Sequence, residues 1–79
     1  MRLDKYLKVS RIIKRRTVSN DACDSGRVCV NGKPAKAGYN VKKGDVIQIT
    51  FGEKTASFKV SFTEEKEAKQ AGMPMFEEL

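Results

Sequence analysis

Apolar residues change their spacing once along this chain, and that single change sets the order of its elements. Leu3, Tyr6 and Leu7 recur at i, i+3 and i+4, the repeat of one helix face. From Val28 onward the apolar residues alternate with others instead. Val28 and Val30 flank Cys29; Ile47, Ile49 and Phe51 interleave with Gln48 and Thr50; Phe58, Val60 and Phe62 interleave with Lys59 and Ser61. That is the period of a half-buried strand. The expected fold class is therefore α+β, two short helices packed on a small, twisted antiparallel sheet. With 79 residues and no Trp there is room for one modest core. A chain of this size buries roughly 60% of the surface its unfolded state exposes.

Local signals refine the elements. A first helix is expected near residues 3–9, and Ile12 and Ile13 anchor the turn that follows it. Thr17 is placed to cap a second helix near 17–25, whose apolar stripe is Val18, Ala22 and Cys23. Gly26 falls where a helix end needs a left-handed residue. Asn31-Gly32 is the dipeptide of a tight hairpin. Residues 35–43 read as irregular, and Gly44-Asp45 and Gly52–Thr55 read as turns. The chain divides into a basic unit over 1–50, a strand over 51–62 that extends the sheet, and an acidic tail over 63–79, for which flexibility is allowed. Thr63-Glu64-Glu65-Lys66 could start a short helix there, which Gly72 and Pro74 would end.

Charge follows the same division. Residues 1–50 hold 12 Lys and Arg against 4 Asp and Glu, whereas residues 51–79 hold 4 against 6. Seven of the bases fall in the first 16 residues: Arg2, Lys5, Lys8, Arg11, Lys14, Arg15 and Arg16, with Asp4 the only acid among them. A block of one sign is either a solvated face or a surface for a polyanion. Four of the seven are Arg, whose planar fork suits phosphate and stacks on bases, which favours nucleic acid. Arg16 stands out, because it precedes a helix N-terminus whose free N–H groups also attract phosphate. Its alternative role is a pair with Asp4 or Asp21. Asp4 would repel phosphate, so orienting a neighbouring Arg is the better reading for it. Lys33, at the hairpin tip, joins the candidate RNA contacts; Arg27 and Lys36 are weaker ones. Tyr6 reads as core, and Tyr39 as the better base-stacking candidate. About five phosphate contacts would make affinity fall with salt at a log–log slope near −4.

Other classes are excluded or disfavoured. With no His, and no nucleophile beside a base, no catalytic site is expected. Cys23 and Cys29 cannot build a four-thiolate metal site and read as small buried residues, so no metal or cofactor is expected. No apolar run is long enough to span a membrane, and the charged N-terminus lacks a secretory leader, so a cytoplasmic protein is expected.

The motifs then converge on a known family. Arg2-Leu3-Asp4-Lys5 opens the chain, Gly26-Arg27-Val28-Cys29-Val30-Asn31-Gly32 follows the second helix, and Val41-Lys42-Lys43-Gly44-Asp45-Val46 precedes the next strand. Together these resemble the S4 domain, an RNA-binding module of alpha-L-like fold. The front stretch through Arg11 and Lys14-Arg15-Arg16 is similar to the stand-alone members of the heat-shock-protein-15 kind, including those of bacterial ribosome-associated quality control. The resemblance implies a non-enzymatic, monomeric binding factor for the free large ribosomal subunit, contacting its rRNA and the stalled peptidyl-tRNA. It implies support for alanine tailing of the stalled chain beside an RqcH-type protein. Two alternatives stay open: large-subunit recycling without tailing, and a basic module docking an acidic protein. Pseudouridine synthases also carry S4 domains, but this length leaves no room for their catalytic unit.

Overall fold

A computed structural model describes all residues, 1–79. The helical spacing at the front becomes α1 (Leu3–Val9) and α2 (Arg16–Asp24). The alternating stretches become β1 (Val28–Val30), β2 (Lys33–Pro34), β3 (Val46–Phe51) and β4 (Lys54–Val60), followed by α3 (Glu65–Ala71) and β5 (Phe76–Glu78). The strands form one sheet in the order β2-β1-β3-β4-β5, antiparallel throughout. This is the α+β architecture the spacing predicts, with one helix and two strands more. No helix is long and apolar enough to cross a membrane.

The apolar faces meet where the periods place them. Leu3, Tyr6 and Leu7 from α1 are fully buried against Val28, Ile47, Ile49 and Val60 of the sheet, with Ala22 and Cys23 from α2 in the same core. Burial and the neighbouring carboxylates of Asp4 and Asp24 push the Cys23 thiol up to about 11, so it stays a neutral packing residue. The second helix starts at Arg16, one residue before the expected cap. The Ser19 N–H donates to the Arg15 carbonyl at 3.1 Å, so the first turn closes on Arg15 and leaves Thr17 inside the helix. Arg15 takes the cap position in an extended conformation without a side-chain cap bond.

The hairpin forms as Asn31-Gly32 predicts. Both central residues have positive φ, 53° and 83°, which matches the twist of the flanking strands. Asn31 does more than turn the chain. Its Nδ2 donates to Asp45 Oδ1 at 3.1 Å and its Oδ1 accepts from the Val46 N–H at 3.0 Å. The other oxygen of the buried Asp45 accepts from the Tyr39 hydroxyl at 3.0 Å and the Lys42 N–H at 2.9 Å. Asp45 thus ties the hairpin tip to the irregular stretch 35–43. Tyr39, the stacking candidate, is half-buried and serves as a strut of this network.

Residues 63–79, expected as an acidic tail with a short helix ended by Gly72, do form that helix, but they also fold back onto the molecule and add a strand. Ala68 and Met75 are buried, Gly72 ends α3 with φ +67°, and β5 pairs with β4. Phe76 meets Phe58 edge to face at 5.2 Å between ring centres. The Tyr6 hydroxyl donates to the Met75 carbonyl at 2.8 Å, and the Ser61 and Phe62 N–H groups donate to the same oxygen. The net negative charge of this stretch hid its few well-placed apolar residues. About two turns of mostly polar helix bring Met75 and Phe76 back to the sheet.

Candidate nucleic-acid interface

The opening residues are held by the irregular stretch. The Leu3 N–H donates to the Tyr39 carbonyl at 2.7 Å and the Asp4 N–H to the Ala37 carbonyl at 3.2 Å. Arg2 itself forms an isolated antiparallel bridge with Asn40. These bonds fix Arg2 at the head of α1, beside the start of α2.

Asp4 then joins the two helices. Its side chain is only 3% exposed, whereas those of Arg2 and Arg16 are 56% and 51% exposed. Arg2 Nε donates to Asp4 Oδ1 at 3.1 Å, and Arg16 Nε donates to Oδ2 at 3.4 Å. Asn20 Nδ2 adds a bond to Oδ2 at 3.3 Å, and the Lys5 N–H reaches Oδ1 at 2.8 Å. Burial would push this carboxyl up, but the bonds from Asn20, Arg2 and Lys5 N, with the Arg2 charge, outweigh it and hold Asp4 below its usual range. Of the two roles weighed for Arg16, the structure shows the pair with Asp4 and leaves the side chain about half exposed. Half-exposed pairs of this kind contribute about 1 kcal/mol or less each. Their main effect is positional: one buried carboxylate aims two guanidinium groups outward side by side.

Ser19 makes that geometry possible. It is fully buried, and its Oγ lies 2.9 Å from both the Asp4 and the Arg16 carbonyls. A small residue here lets α1 and α2 approach closely enough for one carboxylate to serve both. Asn20 is a site residue that sequence reasoning missed. Its signal was present, since it stands four residues after Arg16 on the same helix face.

The other candidates are all exposed but fall into separate groups. Lys8, Arg11 and Lys14 line a shared concavity of about 440 Å³ with Val9 and Glu65. Lys5 sits on α1 one turn from both Arg2 and Lys8, and Arg15 adjoins Arg16 at the head of α2. Lys33 stands on β2, lining a different hollow with Asn31, Pro34 and Tyr39, away from the helical bases. The structure thus gathers seven of the eight candidates on the helical layer and leaves Lys33 on the sheet edge.

Asp4→Asn tests the hub. The folded-state pKa of Asp4 is lowered, so its ionic contribution is complete above the unfolded value near 4 and is lost as pH falls through the folded value. In urea unfolding at neutral pH the variant is expected to be about 1 kcal/mol less stable than the parent. The two curves are expected to converge as the pH falls through that lowered folded-state value. An unchanged gap at low pH would show that the loss is not ionic.

Comparison with known proteins identifies the family. The family model for the S4 domain matches residues 1–47. A protein of Listeria innocua called "RQC P-site tRNA stabilizing factor" is 51% identical over 76 residues, covering 96% of this chain and 83% of that one. The protein of the same name from Bacillus subtilis is 43% identical over 76 residues, covering 96% of this chain and 88% of its own length. Among solved structures, the trimeric structure of Vibrio cholerae Heat Shock Protein 15 superposes with a TM-score of 0.81 at 26% identity, covering 100% of this chain and 81% of that one. With two arginines presented on the first helix pair, and with likeness over almost its full length, the chain belongs to the S4-domain family, in the group formed by the small RQC P-site tRNA stabilizing factors.

Proposed function

We propose that this chain is an RNA-binding factor of ribosome-associated quality control. It binds the free large ribosomal subunit that still carries a stalled peptidyl-tRNA, touching rRNA and tRNA with its helical basic face. It acts in the cytoplasm as a monomer, beside an RqcH-type protein, and supports alanine tailing of the stalled chain without catalysing a bond change itself. The observation that carries this reading is the exposed Arg2–Arg16 pair on buried Asp4, in a chain 51% identical to a factor named for stabilizing P-site tRNA. Lys5, Lys8, Arg11, Lys14 and Arg15 extend the phosphate-binding face, and Lys33 makes a separate contact from the sheet edge. Contacts of this kind position the protein on folded RNA by shape and charge.

Sucrose-gradient sedimentation of the tagged protein from its own cells tests this reading. Co-migration with free large subunits that contain peptidyl-tRNA is expected, together with loss of alanine tails when the gene is deleted. Tails that persist while obstructed subunits accumulate would favour the recycling role instead. Binding to lysate partners that survives RNase would overturn the RNA reading in favour of an acidic protein.

A further inference from the structure

Five glycines and two other residues in this chain have positive φ. Asn31 is one of the two, and asparagine tolerates that region in a hairpin. The other is Arg11, at φ +67°. An arginine has no such tolerance, and the position it occupies is the one that glycine usually fills after a helix.

The turn leaves Arg11 little choice. The Ser10 N–H donates to the Tyr6 carbonyl at 2.9 Å, the Arg11 N–H to Lys8 at 3.1 Å, and the Ile13 N–H to Leu7 at 3.0 Å. These bonds close α1 and swing Ile13 into the core, where it is buried. The left-handed step at residue 11 is thus imposed by the fold, and an arginine there is strained where glycine would not be. No carboxylate pairs with the Arg11 side chain, in contrast to Arg2 and Arg16. It lines the concavity with Lys8 and Lys14, and the one acid on that rim, Glu65, is engaged with Lys69 at 3.2 Å.

We propose that Lys8, Arg11 and Lys14 form a second phosphate subsite on RNA, separate from the Arg2–Arg16 pair, and that the strained backbone at Arg11 is kept because it presents this guanidinium. In the first subsite a buried carboxylate orients the arginines; in the second the backbone turn does. This inference rests on the RNA-binding reading above. A purely structural role would be for Arg11 to offset the negative end of the α1 dipole, in which case glycine would gain little.

The two roles separate in one experiment. Arg11→Gly, Arg11→Ala and Arg16→Ala are compared with the parent by thermal unfolding and by binding to purified large ribosomal subunits across a range of monovalent salt at fixed magnesium. Glycine and alanine both remove the guanidinium and differ in strain. Arg11→Gly is expected to melt roughly 4 °C above Arg11→Ala, even after the larger unfolded-state entropy of glycine is counted. Both are expected to bind about tenfold more weakly than the parent, with a salt slope smaller by about one contact. A glycine variant that melts at or below the alanine one overturns the claim of strain. Unchanged affinity and salt slope in both Arg11 variants, while Arg16→Ala binds weakly, overturns the second subsite. If Arg16→Ala and both Arg11 variants all bind as the parent does, the RNA-binding reading itself fails.

Discussion

Arg2→Ala combined with Arg16→Ala is expected to give a folded protein that binds large ribosomal subunits about a hundredfold more weakly. Each guanidinium offers a charge-assisted contact to phosphate worth about 1.5–3 kcal/mol, and two such losses reach that factor. The fold should survive, because both side chains are about half exposed and their pairs with Asp4 contribute little to stability. The acid left behind is the main structural cost. Asp4 would keep only Asn20 and the Lys5 N–H as partners, so adding Asp4→Asn to the double variant should recover stability without recovering binding. Removing two charges elsewhere controls for net charge. Lys54 and Lys59 lie on β4, outside the helical layer, and their double alanine variant should bind nearly as the parent does. Equal losses in the two double variants would mean that overall charge, and not the Asp4-centred pair, governs binding.

The second large effect concerns the C-terminal stretch. A chain ended after Phe62 is expected to lose most of its stability, although residues 63–79 lie outside the part matched by the S4 model. Truncation removes the buried Met75 and Ala68 and exposes the flank of β4 that β5 covers. Losing a buried methionine costs about 2–5 kcal/mol, and losing the Phe58–Phe76 pair about 1 kcal/mol more. The fully buried Tyr6 hydroxyl would be left without its acceptor, at a further cost of about 1–3 kcal/mol. Small domains hold only about 5–15 kcal/mol in all. Circular dichroism of the truncated chain should therefore show weak, non-cooperative melting near room temperature. A sharp transition close to the parent's would mean that β5 and α3 are decoration.

Much of the fold is legible in the sequence. The period change at Val28 placed helices before strands, and α1, β1 and the Asn31-Gly32 hairpin lie where the residues put them. Gly26, with φ +82°, ends the second helix as expected. The misreadings have a common origin. Thr17 looks like a cap by residue type, yet the turn closes two residues earlier on Arg15. Residues 63–79 look like a tail by charge, yet two apolar residues, Met75 and Phe76, suffice to dock them. Average properties of a segment gave no warning of what single residues in it would touch.

The candidate site divides in the same way. That the first sixteen residues form a basic surface, and that Asp4 orients an arginine, could be argued from composition and spacing. Helix periodicity, glycine turns and charge blocks are properties of neighbours a few residues apart, so a linear chain displays them directly. That Arg2, Arg16 and Asn20 share one carboxylate, that Arg11 sits in a left-handed turn, and that Tyr6 closes on Met75 depend on residues up to 69 positions apart. Such pairings follow from how the helix pair settles on the sheet around Ser19 and the core. Packing and hydrogen-bond satisfaction are met only by the whole folded molecule, and so only the tertiary structure could decide them.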